Sequence, residues 1–208
     1  MTMSRPAMID LIEARKSVTR YQAGAEIDEA TVAELVRLAT LAPSAYHLQN
    51  WRFIAVRSAA AKQRLQAQAY GQAQVGEAAV TFIVCGQLAA HHGLAAALAP
   101  SVEAGTMAAD IAANWVAQAS QAHEADPQLQ RDEALRSASL AGMTLMLAAQ
   151  GMGLASGPLG GFDAAGVARE FDLAPQELPV MLITVGHARA DNWPQKPRKP
   201  LAQVLSYA

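Results

Sequence analysis

Cysteine is nearly absent: Cys85 stands alone in 208 residues. A single thiol forms no intrachain disulfide and no thiolate metal cluster. Aromatic residues are scarce at 5%, and charged residues reach only 16%, below the usual share of about 25%. No uninterrupted apolar run approaches the ~18 residues of a membrane span. The opening Met1-Thr-Met-Ser-Arg-Pro6 lacks the apolar core of a secretory signal. A soluble, cytoplasmic protein without a membrane partner is therefore expected. A basic stripe is missing too, and the net charge is −2, so nucleic acid is not an expected partner. No repeat or low-complexity linker divides the chain, and its length suits one domain over 1–208.

What is present is a 52% hydrophobic complement, mostly Ala, Leu, Val and Met. That favours closely packed helices and a large subunit interface. Ser4 and Pro6 read as a helix start, and Met8, Leu11 and Ile12 share one face up to about Arg15. Asp28 caps a second helix, which ends before Pro43. Strands are predicted over 51–57, 79–86 and 179–186, the last two apolar enough to be buried on both faces. A small helix is predicted over 59–70. Residues 87–122 read as helical, broken at Pro100 and Gly105. Asp126 and Pro127 start the longest helix, which runs to Gln150. Its second half is apolar nearly all round, so burial on all sides is expected, in the core or at a dimer interface. Asp163 caps a short helix over 164–171. The proline-rich residues 193–200 read as stiff and irregular, and residues 201–208 need a surface to pack against.

Residues 151–163 hold glycines at 151, 153, 157, 160 and 161, with Pro158 among them. The reading is a bare loop whose main-chain N–H groups cradle a planar cofactor. Gly151-x-Gly153-x-x-Ser156 approaches the dinucleotide-binding fingerprint, but that fingerprint follows a strand. Here a helix precedes it, so Gly151 is read as a helix C-cap. Arg15-Lys16-Ser17-Val18-Thr19-Arg20-Tyr21 gathers three cations and two hydroxyls beyond a helix end. It reads either as a solvated basic end or as an anion site. Cys85 ends a strand and reads as a core residue. His91 and His92 are neighbours, and helix neighbours diverge. With His47, His123 and His187 distant in sequence, no metal site is expected. Met107, Asp110 and Trp115 either line a pocket or pack.

Taken together, four of these pieces resemble the FMN-dependent nitroreductase family. Arg15-Lys16-Ser17 through Tyr21 matches its Arg-Arg/Lys-Ser-x-x-x-aromatic element. Ala42 to Trp51 matches Ala-Pro-Ser-x-x-Asn-x-Gln-x-Trp except at His47. Gly153 to Asp163 matches Gly-Leu-x-x-x-Pro-x-Gly-Gly-Phe-Asp. An apolar strand ending in Gly186 is followed by the Lys-x-Arg of Lys196 and Arg198. The resemblance spans nearly the whole chain.

It implies an α+β, three-layer α/β/α fold around a mostly antiparallel sheet. It also implies a homodimer whose C-terminal tail is swapped onto the partner. Arg15, Lys16, Ser17, Lys196 and Arg198 are then expected around the FMN phosphate and ribityl chain, and Pro158, Leu159, Gly160 and Gly161 against the ring. The Gly160 N–H becomes the candidate donor to flavin N5, and Gln72 and Gln74 candidate contacts to the flavin or ribityl chain. Pro43, Ser44, Ala45 and His47 are expected from the other subunit. Thr19 occupies a position where the family often has Lys or Arg near flavin N1, leaving Lys16 or Arg20 to substitute or the potential to fall. The implied activity is hydride transfer from NADH or NADPH through FMN to a small electron-poor acceptor, by ping-pong kinetics. Other flavin chemistry of the superfamily, a non-catalytic FMN sensor, and a scaffold that binds nothing remain as alternatives.

Overall fold

A computed structural model describes residues 7–208; the helix start expected at Ser4 and Pro6 lies outside the described residues. Four strands form one antiparallel sheet: β1 (Trp51–Val56), β2 (Val80–Gln87), β3 (Ala155–Leu159) and β4 (Glu177–Gly186), in the order β1-β2-β4-β3. The central pair, β2 and β4, is apolar on both faces, and its side chains alternate between two cores. Val80, Phe82, Val84, Ile183 and Val185 pack under α2 (Glu29–Ala39) and α7 (Pro127–Gly151). Ile83, Cys85 and Leu182 face the opposite layer. There Leu65 of α3 (Ala59–Gln68), Val75 of α4 (Ala73–Glu77) and Val167 of α8 (Ala164–Glu170) close over them. The result is the expected three-layer arrangement. Outside it lie α1 (Ala7–Ala14), α5 (Leu94–Glu103) and α6 (Ala109–His123).

Helix caps fall where the sequence puts them. Asp28 Oδ1 accepts from the Thr31 amide at 2.7 Å, and Asp126 Oδ1 from the Leu129 amide at 2.8 Å. Pro127 occupies the first turn of α7. No helix among the described residues is long and apolar enough to cross a membrane.

Four expectations need correction. Residues 155–159 are not loop but strand β3, paired with β4 from Ala155↔Gly186 to Leu159↔Leu182. Glycine and proline survive there because β3 is an edge strand. Gly151 is the last helical residue rather than the cap; Gly153, with φ +74°, makes the left-handed turn out of α7. Pro100 sits inside α5 without ending it. Leu140 and Met143 on α7 are exposed in the protomer, so the core alone does not bury the helix on every side. His91 and His92 do not diverge, because they lie on a short 3₁₀ turn, Ala90–Gly93, rather than on an α-helix.

Candidate functional site

The basic element and the glycine stretch meet at β3. Ser17 bridges Ser156 in parallel, and the Val18 amide donates to the Ser156 carbonyl at 3.0 Å. The approach needs Gly157: a Cβ there would collide with the Val18 carbonyl oxygen. Tyr21 anchors the far end of the element. Its hydroxyl lies 2.8 Å from Thr184 Oγ1, which itself donates to the Gly157 carbonyl at 3.0 Å. Burial pushes the Tyr21 phenol well above its ordinary range, against the opposing effect of that hydrogen bond.

The C-terminal tail joins from the other side. Asn192 Oδ1 accepts from the amides of Thr19 and Arg20, each at 3.0 Å. Arg20 pairs with Asp191 at 2.8 Å, and that bond holds the Asp191 carboxyl below its ordinary value. Gln195 Nε2 donates to the Arg15 carbonyl at 3.1 Å. Lys196 is the next residue, and Arg198 is three residues beyond Gln195, within about 10 Å of extended chain. Arg198 Nη1 donates to the Lys196 carbonyl at 2.9 Å. Arg15 Nη1 is buried and has no hydrogen-bond partner among the described residues. A buried donor on a charged group is costly to leave unmatched, so an anionic acceptor suits this spot.

Along β3 the alternation is useful. Leu159 turns into the core, whereas Pro158, Gly160 and Gly161 are exposed. No heavy atom lies within 4 Å of where a Gly160 Cβ would sit, so that side of its Cα is open. Gln72 Nε2 donates to the Gly161 carbonyl at 2.7 Å and fixes the turn. Gln74 lies two residues on, half-buried on α4.

Pro43, Ser44, Ala45 and His47 occupy a different place in the protomer. Ala45–His47 is a 3₁₀ turn packed on α5. Tyr46, His47 and Gln49 hold φ values of 51°, 63° and 47°, an uncommon left-handed run for residues with side chains. Ser44 Oγ accepts from the Gln49 amide at 2.9 Å, and His47 Nε2 lies 2.9 Å from Gln49 Nε2. Pro43, Tyr46 and His47 line a cavity of about 340 Å³ with Met107 and Trp115. Asp110, the third residue weighed for a pocket role, does not line it. Lys16 lies elsewhere again, in a cleft of about 430 Å³ with Val18, Gln150 and His187.

Residues 12–187 match the model of the Nitroreductase family. The chain belongs to this family. Among its relatives is YodC of Bacillus subtilis, named as a candidate NAD(P)H nitroreductase. It is 34% identical over 199 residues, covering 96% of this chain and 98% of YodC. An NADH dehydrogenase of Thermus thermophilus is 32% identical over 193 residues, covering 92% and 91%. A solved structure of a candidate nitroreductase from Exiguobacterium sibiricum, in complex with FMN, has a TM-score of 0.90 at 26% identity, with both chains covered in full.

In this chain, Asn192, Asp191 and Gln195 tether the tail, yet nothing in the sequence singles them out from other polar residues. Tyr46 was hidden for another reason: its left-handed backbone is read only from coordinates. Arg20 pairs with Asp191, and Lys16 lines a cleft with Val18, Gln150 and His187.

Proposed function

We propose that this nitroreductase is an NAD(P)H-dependent FMN oxidoreductase acting as a homodimer. The observation that carries the reading is the meeting of the two chain ends. Arg15, with its unmatched buried Nη1, is tied to the tail that bears Lys196 and Arg198, while Ser17 lies beside β3. The guanidinium, ammonium and hydroxyl groups that these segments carry suit a phosphate dianion. The exposed run of Pro158, Gly160 and Gly161 offers a flat backbone surface that a side chain would obstruct. The donor set and the surface both fit FMN.

Bound FMN supplies a hydride acceptor and donor at N5. The chain's own residues bind and orient it: Arg15, Ser17, Lys196 and Arg198 hold the phosphate and ribityl end. The Gly160 N–H would donate toward N5, and Gln72 holds the turn that carries it. Gln74 adds a polar contact along the same edge. With Thr19 uncharged and Arg20 paired to Asp191, the pyrimidine end of the ring would be stabilised less when reduced, and a lower potential would follow. No side-chain nucleophile is required. NADH or NADPH and a small electron-poor acceptor would use the same open face in turn, giving ping-pong kinetics.

The dimer reading rests on surfaces the protomer leaves open. Leu140 and Met143 are exposed on α7, as are Leu201, Val204 and Tyr207 in the tail. Strand β1 is an unpaired sheet edge. In a second copy, the loop with Pro43, Ser44, Ala45 and His47 would close the open side of the flavin face, and His47 would supply a hydrogen bond there. The test is an absorption spectrum of the purified protein, then anaerobic titration with NADH and with NADPH. The expected result is a flavin spectrum that bleaches stoichiometrically with at least one nucleotide. Protein that neither carries nor takes up FMN would overturn the reading.

A further inference from the structure

His91, His92 and Glu124 stand outside the flavin face. The Nε2 atoms of both histidines lie 3.0 Å from the same carboxylate oxygen, Glu124 Oε2, and the three candidate ligand atoms all fall within 4.8 Å of one another. The ring centroids of His91 and His92 are 4.2 Å apart. Ala89, with φ 52°, makes the left-handed bend that enters their 3₁₀ turn. Glu124 is the C-terminal cap of α6. The cluster therefore joins the two ends of an excursion 33 residues long in sequence separation, which holds α5 and α6.

A second observation concerns the other nitrogen of His91. His91 Nδ1, His123 Nε2 and Asn50 Oδ1 are buried and have no hydrogen-bond partner among the described residues. All three residues line one small cavity of about 10 Å³, close to the least volume that holds a single water. His123 Nδ1 lies 2.8 Å from the Ala119 carbonyl. A carbonyl only accepts, so Nδ1 carries the proton and His123 Nε2 is an acceptor. Asn50 Nδ2 donates to the Gln87 carbonyl at 3.4 Å, which leaves Asn50 Oδ1 as an acceptor too. A water there would give its two hydrogens to those atoms and would accept one from His91 when the proton of that ring sits on Nδ1.

Without a metal, each ring can donate its own Nε2–H to Glu124 Oε2. A divalent cation would replace both protons, shared by the two Nε2 lone pairs and the carboxylate together. We propose that His91, His92 and Glu124 form a binding site for a zinc-class divalent transition-metal ion, which staples the base of the α5–α6 excursion. Two imidazole nitrogens and one carboxylate oxygen suit such an ion, with an open position for solvent. Bonds of about 2.0–2.1 Å put ligand atoms roughly 2.9–3.3 Å apart, and both observed Nε2–Oε2 separations lie in that range. With Nε2 on the ion, His91 would carry its proton on Nδ1, facing the small cavity, where a water would orient the ligating ring as outer partners of metal-bound histidines do.

The site does not depend on the flavin reading. The test uses tag-free, flavin-loaded protein dialysed against chelator and then titrated with ZnCl₂ by calorimetry, alongside a thermal melt. One zinc ion per chain and a raised thermal midpoint are expected, with no response to MgCl₂. His92→Ala and Glu124→Gln change exposed side chains and should each weaken zinc binding at least about tenfold while leaving the zinc-free melt unchanged. Absence of zinc binding overturns the proposal. So does zinc binding of undiminished affinity in both variants.

Discussion

Val18 donates its amide proton to the Ser156 carbonyl at 3.0 Å, and this one bond sets the N-terminal basic element against strand β3. Gly157 makes it possible, because any side chain there meets the Val18 carbonyl. Gly157→Ala is therefore expected to separate the two segments and to cost about 1–3 kcal/mol, the usual range for overpacking. A lower thermal midpoint and reduced flavin content on purification would register it. Gly160→Ala is the contrast, since the space around its Cβ position is free. That variant should melt like the parent and differ only in flavin binding. Equal melts for both variants would refute the distinction.

If Arg15 and Arg198 serve a phosphate, their loss should matter only when a phosphate is present. Arg15→Gln and Arg198→Gln are each expected to weaken FMN binding about 10- to 100-fold, from the ~1.5–3 kcal/mol of a charged hydrogen bond. Riboflavin, which lacks the phosphate, should bind parent and variants alike. Fluorescence titration with both ligands measures this, and parallel losses for both flavins would remove the assignment.

Cys85 is fully buried between the sheet and the α3–α8 layer. Burial, aided by the Glu177 carboxylate, pushes its thiol up to about 12, and the thiolate is the reactive form. A disulfide reagent at pH 8 is expected to titrate no thiol in native protein and one per chain after denaturation. Rapid labelling of the native state would contradict the burial.

The Arg52–Glu177 pair gives a pH dependence with a definite sign. Burial raises the Glu177 carboxyl, but hydrogen bonds from Arg52 and the Ala174 amide outweigh it and leave the group below its ordinary 4.5. Its contribution is complete above the unfolded value and is lost as pH falls through the lower folded one. Arg52 is 47% exposed, so water screens the pair and Glu177→Gln should cost only about 1 kcal/mol at neutral pH. The gap between parent and variant should narrow below pH 4.5 in denaturant melts. A gap that stays constant into acid would rule the linkage out.

The caps, the helices and the two central strands were legible because local chemistry decides them. Asp28 and Asp126 satisfy amides three residues on, and β2 and β4 are apolar on both faces whatever lies around them. β3 was not legible, since Ser-Gly-Pro has poor strand character and pairs only because β4 offers an edge. The basic element was ambiguous for the same reason: Arg15 and Gln195 are far apart in sequence, and only the fold brings them together. The His91–His92 cluster was misread because helix periodicity was applied to a 3₁₀ turn entered through a left-handed alanine.

Leu140 and Met143 are three positions apart on α7, so they share one exposed face. A monomer would leave both side chains in water, whereas a second copy packed on α7 would bury them at roughly 25 cal/mol per Å² of apolar surface. Placing carboxylates on that face should leave the protomer core intact, because neither residue belongs to it. Leu140→Glu combined with Met143→Glu is therefore expected to give a folded monomer by light scattering, with native far-ultraviolet circular dichroism. Because the proposed flavin face is closed by the other copy's residues 43–47, the monomer should also lose FMN. A double variant that stays dimeric would move the interface off this face of α7, and a monomer that keeps FMN would show that one chain completes the site alone.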